Sequence, residues 1–219
     1  MSNTATTEEK LHRHPCFDEE AKGKYGRVHL PVAPNCNVQC NYCNRKFDCV
    51  NESRPGVSSA ILAPSQATEY MRLISNKGVE IAVVGIAGPG DPFANVNETF
   101  ETIKQVKTVF PDMLYCLSSN GIDVAQHIDK IVELGVSHVT ITMNAIDPEI
   151  AAQIYSWIRY NKKIYRGIEA GKLIIERQTE AIKLLKQHNI TVKINSIILP
   201  GINDHHIVEV AKYVASLGA

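Results

Sequence analysis

Arg27-Val-His-Leu-Pro-Val32 runs straight into Ala33-Pro-Asn-Cys36-Asn-Val-Gln-Cys40-Asn-Tyr-Cys43, joining a short apolar run to a loop with three cysteines spaced C-x3-C-x2-C. The run reads as a β-strand, and the Cys- and Asn-rich loop continues to about Ser59. Cys49 follows closely, so that four of the six cysteines fall within fourteen residues; the other two are Cys16 and Cys116. In a reducing compartment such clustering points to metal binding or catalysis rather than to disulfides. Three thiolates on one tight loop can ligate three irons of a cubane cluster and leave the fourth iron open to substrate chemistry. The competing reading is a four-cysteine zinc site from Cys36, Cys40, Cys43 and Cys49. It fits less well, because zinc knuckles favour paired C-x2-C units.

Outward from this loop the chain alternates. Pro64 to Ser75 has helical periodicity, with the proline in the first turn where its missing N–H costs nothing. Val79 to Val84 suits a buried strand and Gly85 to Pro92 a glycine-rich loop. A helix over Val96 to Val109 and a strand over Met113 to Ser118 come next, then a helix over Val124 to Leu134 capped by Asp123 and a strand over His138 to Met143. Residues 148–190 break the rhythm with a helix over Pro148 to Ile158, a basic-aromatic stretch from Arg159 to Arg166 read as a solvated segment, and a long helix over Ala170 to His188. A strand over Thr191 to Leu199 and a helix over Asp204 to Leu217, capped by Asn203, complete five strand–helix units. Five such units predict an α/β fold with a parallel sheet and right-handed crossovers, with ligands gathered at the carboxyl ends of the strands. Alternation puts Thr140, Thr142 and Asn144 on one face of their strand, and Cys116 on the inward face of its own. Residues 1–24 read as a polar arm and 25–219 as the core domain.

The chain has 219 residues, of which 44% are hydrophobic and 21% charged, so it can build a substantial core. Its 23 basic residues balance 23 acidic ones, which gives no electrostatic reason to expect nucleic acid or an anionic membrane as partner. With no apolar run of membrane-spanning length, and an N-terminus without the apolar core of a signal peptide, the expected location is cytoplasmic.

The C-x3-C-x2-C triplet with Tyr42 before its last cysteine resembles the radical S-adenosylmethionine (SAM) superfamily. The resemblance implies a partial (βα)6 TIM-like barrel. It also implies a [4Fe–4S] cluster on Cys36, Cys40 and Cys43, whose open iron is chelated by SAM, and reductive release of a 5′-deoxyadenosyl radical. Gly85-Ile-Ala-Gly-Pro-Gly-Asp-Pro92 stands where the superfamily hydrogen-bonds the SAM amino group, which makes Gly88, Gly90 and Asp91 candidate cofactor contacts; alone, the loop also reads as a tight turn. Ser119 and Asn120 in Ser118-Ser-Asn-Gly121, and Asn195, are further candidates.

Within the superfamily, His14-Pro-Cys-Phe17, the extended loop through Cys49-Val-Asn-Glu-Ser-Arg-Pro-Gly56, Gly88-Pro-Gly-Asp-Pro92 and Leu117-Ser-Ser-Asn-Gly121 resemble the nitrogenase cofactor maturases. That likeness implies fusion of two further [4Fe–4S] substrate clusters into an eight-iron, carbide-centred precursor, one SAM supplying the carbon and another the radical. It makes His14, Cys16, Cys49, Cys116 and Glu52 candidate substrate-cluster ligands, with His12 an alternative to His14. The implied partners are iron–sulfur cluster donors, cofactor carriers of nitrogenase assembly and a ferredoxin- or flavodoxin-like electron donor. It further implies a sixth strand and a cysteine-bearing tail, so the chain is expected to be a C-terminally incomplete fragment. Plainer readings stand beside these: Cys116 as a small core residue, Cys16 as a surface thiol, Glu52 paired with Arg54. Two other functions compete, a radical SAM synthase acting on an organic substrate, as in molybdenum-cofactor assembly, and a passive iron–sulfur scaffold.

Overall fold

A computed structural model describes residues 12–50, 60–78 and 80–219; Glu52, Arg54 and residues 1–11 of the arm lie outside these. The chain runs through β1 (Gly26–His29), β2 (Val38–Cys40), α1 (Pro64–Ser75), β3 (Ile81–Ile86), α2 (Val96–Val109), β4 (Leu114–Ser119), α3 (Ile128–Glu133), β5 (His138–Thr142), α4 (Pro148–Ile154), β6 (Tyr155–Tyr160), β7 (Lys163–Tyr165), α5 (Gly167–Gln187), β8 (Thr191–Asn195) and α6 (Ile207–Ser216). Five strands form one sheet in the order β1-β3-β4-β5-β8, every pair parallel, as the alternating pattern requires.

The two faces of the sheet differ in the way side-chain alternation dictates. Val84, Ile86, Tyr115, Leu117, Val139 and Ile141 belong to the main core, packed with helix residues such as Met71, Ile103 and Ile182. Cys116 packs with Ala82, Val83 and Leu114 beneath Phe17 of the arm and Tyr25, while Thr140, Thr142 and Asn144 are buried without joining the main core.

Several expected boundaries move, each for a local reason. The helix from Pro148 stops at Ile154, because Tyr155-Ser-Trp-Ile-Arg-Tyr160, rich in aromatic and β-branched residues, pairs antiparallel with both β2 and β7. The basic-aromatic stretch is therefore half of a β-hairpin, turned at Asn161 and Lys162, both with positive φ (49° and 64°). Its charged residues are exposed, as expected, yet its backbone holds the cysteine loop. Asp123 does not cap a helix with its side chain; it accepts from Asn37 Nδ2 at 2.7 Å, and Val124–His127 is a 3-10 turn ahead of α3. Asn203 is no side-chain cap either. It staples the end of β8 to β5, accepting from Leu199 N (2.7 Å) and donating to the carbonyls of Asn144 and Ile197 (2.9 Å each). The last strand ends at Asn195 and not at Leu199. No helix among the described residues is long and apolar enough to cross a membrane.

Candidate active site

The cysteine loop is clamped at both ends. At its start, Leu30, Val32 and Ala33 are buried, Gly90 N donates to Ala33 O at 2.6 Å and Asp91 N to Asn35 O at 2.7 Å. Asn95 completes this clamp: its Oδ1 accepts from Asn35 N (3.1 Å) and its Nδ2 donates to the carbonyls of Asn35 (2.9 Å) and Asp91 (2.8 Å). Further along, β2 is paired with β6, and Asn41 donates through N to Ile154 O (2.9 Å) and through Nδ2 to Gln153 O (2.7 Å). With its course fixed this way, the loop lines a cavity of about 310 Å³ with Cys36, Cys40, Tyr42, Cys43, Arg45 and Cys49, closed on the sheet side by Gly90, Asp91 and Asn120.

Among the described residues no three His, Cys, Asp or Glu converge on a point as ligands of one metal ion. Three thiols on one cavity wall are the donor set a cubane requires, whose cysteines each take a separate iron. Burial pushes the Cys40 thiol up to about 12 and, together with the Asp91 carboxylate, raises Cys36. Arg45 opposes this: its guanidinium lies beside Cys36 and is anchored by donation to Val38 O at 2.6 Å. Asn120 Nδ2 lies 3.7 Å from Cys36 Sγ, within reach of an N–H···S hydrogen bond, and donates to Asn37 Oδ1 at 2.6 Å. The hydroxyl of Tyr42 accepts from Asn144 Nδ2 at 2.9 Å, which ties the third cysteine's neighbour to the loop that leaves β5.

Asp91 is the hub between two loops. It accepts from Ser119 Oγ (3.0 Å), Asn120 N (2.7 Å) and Phe93 N (2.9 Å), while burial raises its carboxyl to about 6 against those hydrogen bonds. Of the candidate cofactor contacts, then, Gly90, Asp91 and Asn120 line the cavity. Ser119 is fully buried, its hydroxyl committed to Asp91 and to Gly121 N. Gly88 lies against Cys49, where an added Cβ would stand 3.9 Å from that of the cysteine, and Asn195 sits at the end of β8; neither these two nor Ser119 line the cavity. Arg45, Asn37 and Asn95 escaped the sequence reading. Arg45 lies two residues past the triplet, close enough to have been found as a cation bound to stay near three thiolates. Asn37 and Asn95 carry no such signal.

The arm folds onto the sheet face opposite the main core. His14 is fully buried, its Nδ1 accepts from Cys16 N (3.2 Å), and its Nε2 has no hydrogen-bond partner among the described residues. Its ring meets those of His138 and Phe17, all three centroid separations being 4.5 Å. His12, by contrast, is exposed and pairs with Asp18 at 2.6 Å. Cys16 is half-buried, and Cys116 lies beneath the arm, outside the cysteine-lined cavity. Burial, then the nearby His138, pushes His14 down to about 3, and burial pushes His138 down to about 4. Both stay neutral in the folded chain and protonate near 6.5 when it unfolds. This contribution to stability is therefore complete above pH 6.5 and is lost as pH falls towards 4, at about 2 kcal/mol per histidine by pH 5. Thermal unfolding at pH 7 and pH 5 should show the loss, and His138→Asn should reduce it by removing one of the two contributions; an unchanged pH dependence in that variant would refute the assignment.

A parallel sheet whose first strand feeds a three-cysteine loop, with glycine and asparagine loops from the next two strands facing it, defines a protein of the radical SAM class. The Radical SAM superfamily profile matches residues 30–214, and the chain belongs to that superfamily. It is 54% identical over 209 residues to the FeMo cofactor biosynthesis protein NifB of Chlorobaculum tepidum, covering 95% of this chain and 49% of that protein. It is 47% identical over 216 residues to the protein of the same name from Klebsiella pneumoniae, covering 99% and 46%. The chain thus spans about half the length of the curated relatives it matches. Among solved structures, that described as native anSMEcpe with bound AdoMet superposes with a TM-score of 0.55 at 16% identity, over 87% of this chain and 48% of that one, and shares the fold.

Proposed function

We propose that the chain is the radical SAM core of a FeMo-cofactor maturase that builds an eight-iron, carbide-centred precursor from two [4Fe–4S] substrate clusters. The observation that carries this reading is the single cavity on which Cys36, Cys40 and Cys43 meet Gly90, Asp91 and Asn120. The donor set fits a resident [4Fe–4S] cluster, which when bound would supply the electron that cleaves SAM. The chain's own residues prepare that chemistry: Arg45 offsets the thiolate charge, Asn120 orients Cys36, and Gly90 leaves its backbone open to a close neighbour. The relatives' shared name, FeMo cofactor biosynthesis protein, supports the choice of product. His14, Cys16, Cys49 and Cys116 are the described candidates for holding a substrate cluster, released later to carrier proteins of nitrogenase assembly, with a ferredoxin- or flavodoxin-like donor supplying electrons.

Anaerobic reconstitution followed by SAM and a reductant tests the enzyme class: 5′-deoxyadenosine is expected, and its absence would leave only a passive scaffold. Cys116→Ala, made in the full-length protein, should lose substrate-cluster iron and block precursor formation while SAM cleavage persists. Iron equal to that of the parent would make Cys116 a core residue packed against Leu114 and Phe17, and nothing more.

A further inference from the structure

The β6–β7 hairpin gathers positive charge beside the cysteine loop. Between Glu149 and Glu169 the chain carries Arg159, Lys162, Lys163 and Arg166 and no acidic residue, although the whole chain balances 23 basic residues against 23 acidic ones. All four cations are exposed, and among the described residues none has a carboxylate partner. Rings and backbone hold three of them instead. The Arg159 guanidinium lies 5.9 Å from the centre of the Trp157 ring and the Lys163 ammonium 4.7 Å from that of Tyr165, while Arg166 Nη1 donates to Ser156 O at 3.4 Å. Four cations on one hairpin without counter-charge create a positive potential that draws a negatively charged partner.

The small sheet β2-β6-β7 has two unlike faces. Tyr155, Ile158, Tyr160 and Tyr165 pack into a second apolar cluster with Ile154 and Ile174. Trp157, Arg159 and Ile164, which register sets opposite Arg159, join neither that cluster nor the main core, and Ile164 is 46% exposed. This outer face leads straight to the cysteines. Trp157 pairs with Gln39 of β2, whose Nε2 donates to the carbonyls of Cys40 (3.0 Å) and Cys43 (3.3 Å) and whose Oε1 accepts from Arg45 Nε at 3.4 Å. One cross-strand pair thus separates a half-buried tryptophan from the backbone of two of the three loop cysteines. Tryptophan and arginine are the residues that anchor protein interfaces, and the interfaces of electron-transfer partners are small, below about 1,200 Å² in total. A single hairpin face suits such a brief encounter.

We propose that the outer face of the β6–β7 hairpin docks an acidic one-electron carrier protein, with Arg159, Lys162, Lys163 and Arg166 steering it and Trp157 at its closest approach to the cysteine loop. The inference rests on the radical SAM reading above and adds to it the place where reducing equivalents enter. In the docked pair the reduced carrier gives up one electron and is oxidised. The resident cluster takes that electron and is reduced by one, and no proton or group moves.

The test uses the full-length, anaerobically reconstituted protein and an acidic plant-type [2Fe–2S] ferredoxin as probe. Binding is read by isothermal titration calorimetry of the oxidised ferredoxin over a salt series. Contact is read by carbodiimide cross-linking, which joins lysines to carboxylates, followed by peptide mapping. In the unaltered protein the cross-links are expected at Lys162 and Lys163. K162E/K163E should weaken binding about tenfold at low salt and flatten its salt dependence. Its 5′-deoxyadenosine yield should fall to a similar extent with reduced ferredoxin as donor and stay unchanged with dithionite. K172E/K183E, an equal charge reversal at exposed positions of α5, should change none of these. Cross-links confined to other lysines of the unaltered protein, or binding weakened equally in both double variants, would overturn the docking site. Ferredoxin-driven cleavage that survives the loss of binding would overturn it as the entry for electrons. A parent that forms no 5′-deoxyadenosine with dithionite would instead refute the radical SAM reading on which the site rests.

Discussion

Cys43→Ala is expected to reduce SAM cleavage to background and to remove one cubane's worth of iron from the anaerobically reconstituted protein. The loop around Cys43 is held by contacts that do not involve its sulfur, namely the β2–β6 pairing, the Asn41 bonds to Gln153 and Ile154, and the Arg45 bond to Val38 O. Loss of one half-buried thiol should accordingly leave thermal stability within about 1 kcal/mol of the parent. Function and fold separate in this variant, because a cubane held by two thiolates has lost the ligand of one iron while the chain has lost little packing. Quantitation of iron, sulfide and 5′-deoxyadenosine beside a melting curve checks both halves. Full cleavage activity in the alanine variant would refute the cluster assignment.

The second large effect is expected at Gly90, from packing and not from ligation. A Cβ there would fall inside the Asn35 carbonyl group and 2.7 Å from Pro34 O, all of it backbone that cannot swing aside. That backbone is the start of the cysteine loop, bound to this same strand exit through Gly90 N and Asp91 N. Gly90→Ala must therefore part the two loops, breaking the wall that joins Cys36 to Asp91 and Asn120. We expect a cost of about 3 kcal/mol, a melting temperature lower by roughly 10 °C, and SAM cleavage reduced by at least an order of magnitude. Gly201→Ala is the control. Its φ of +77° disfavours a side chain, but nothing among the described residues lies within 4 Å of the added carbon, so only backbone strain of about 1 kcal/mol should appear.

The alternating apolar runs were enough to place five parallel strands and most of the helices between them, because each such element is specified by neighbours two to four positions away. The C-x3-C-x2-C spacing was enough to mark a cysteine loop for the same reason, since all three thiols lie on one stretch of chain. Alternation also separated Cys116 from Tyr115 and Leu117, and it packs outside the main core. The β6–β7 hairpin was not legible. Tyr155 to Tyr160 continues the apolar pattern of the preceding helix, and only pairing with Val38–Cys40, more than a hundred residues earlier, makes it a strand. Asp123 and Asn203 look like helix caps in sequence, since asparagine and aspartate favour that position, yet long-range partners, Asn37 and Asn144, claim their side chains.

The site divides along the same line. Sequence by itself determined which residues carry thiols and where glycine permits close approach. Tertiary structure decided that Asp91 braces Ser119 and Asn120, that Arg45 and Asn120 attend Cys36, and that His14 is buried while His12 faces solvent. It alone set Trp157 of the hairpin opposite Gln39, whose amide donates to the carbonyls of Cys40 and Cys43. The physical reason is the range of the interactions: helix and strand patterns and a ligand triplet are local, whereas burial, charge and hydrogen-bond partners depend on which distant segments the crossovers bring together.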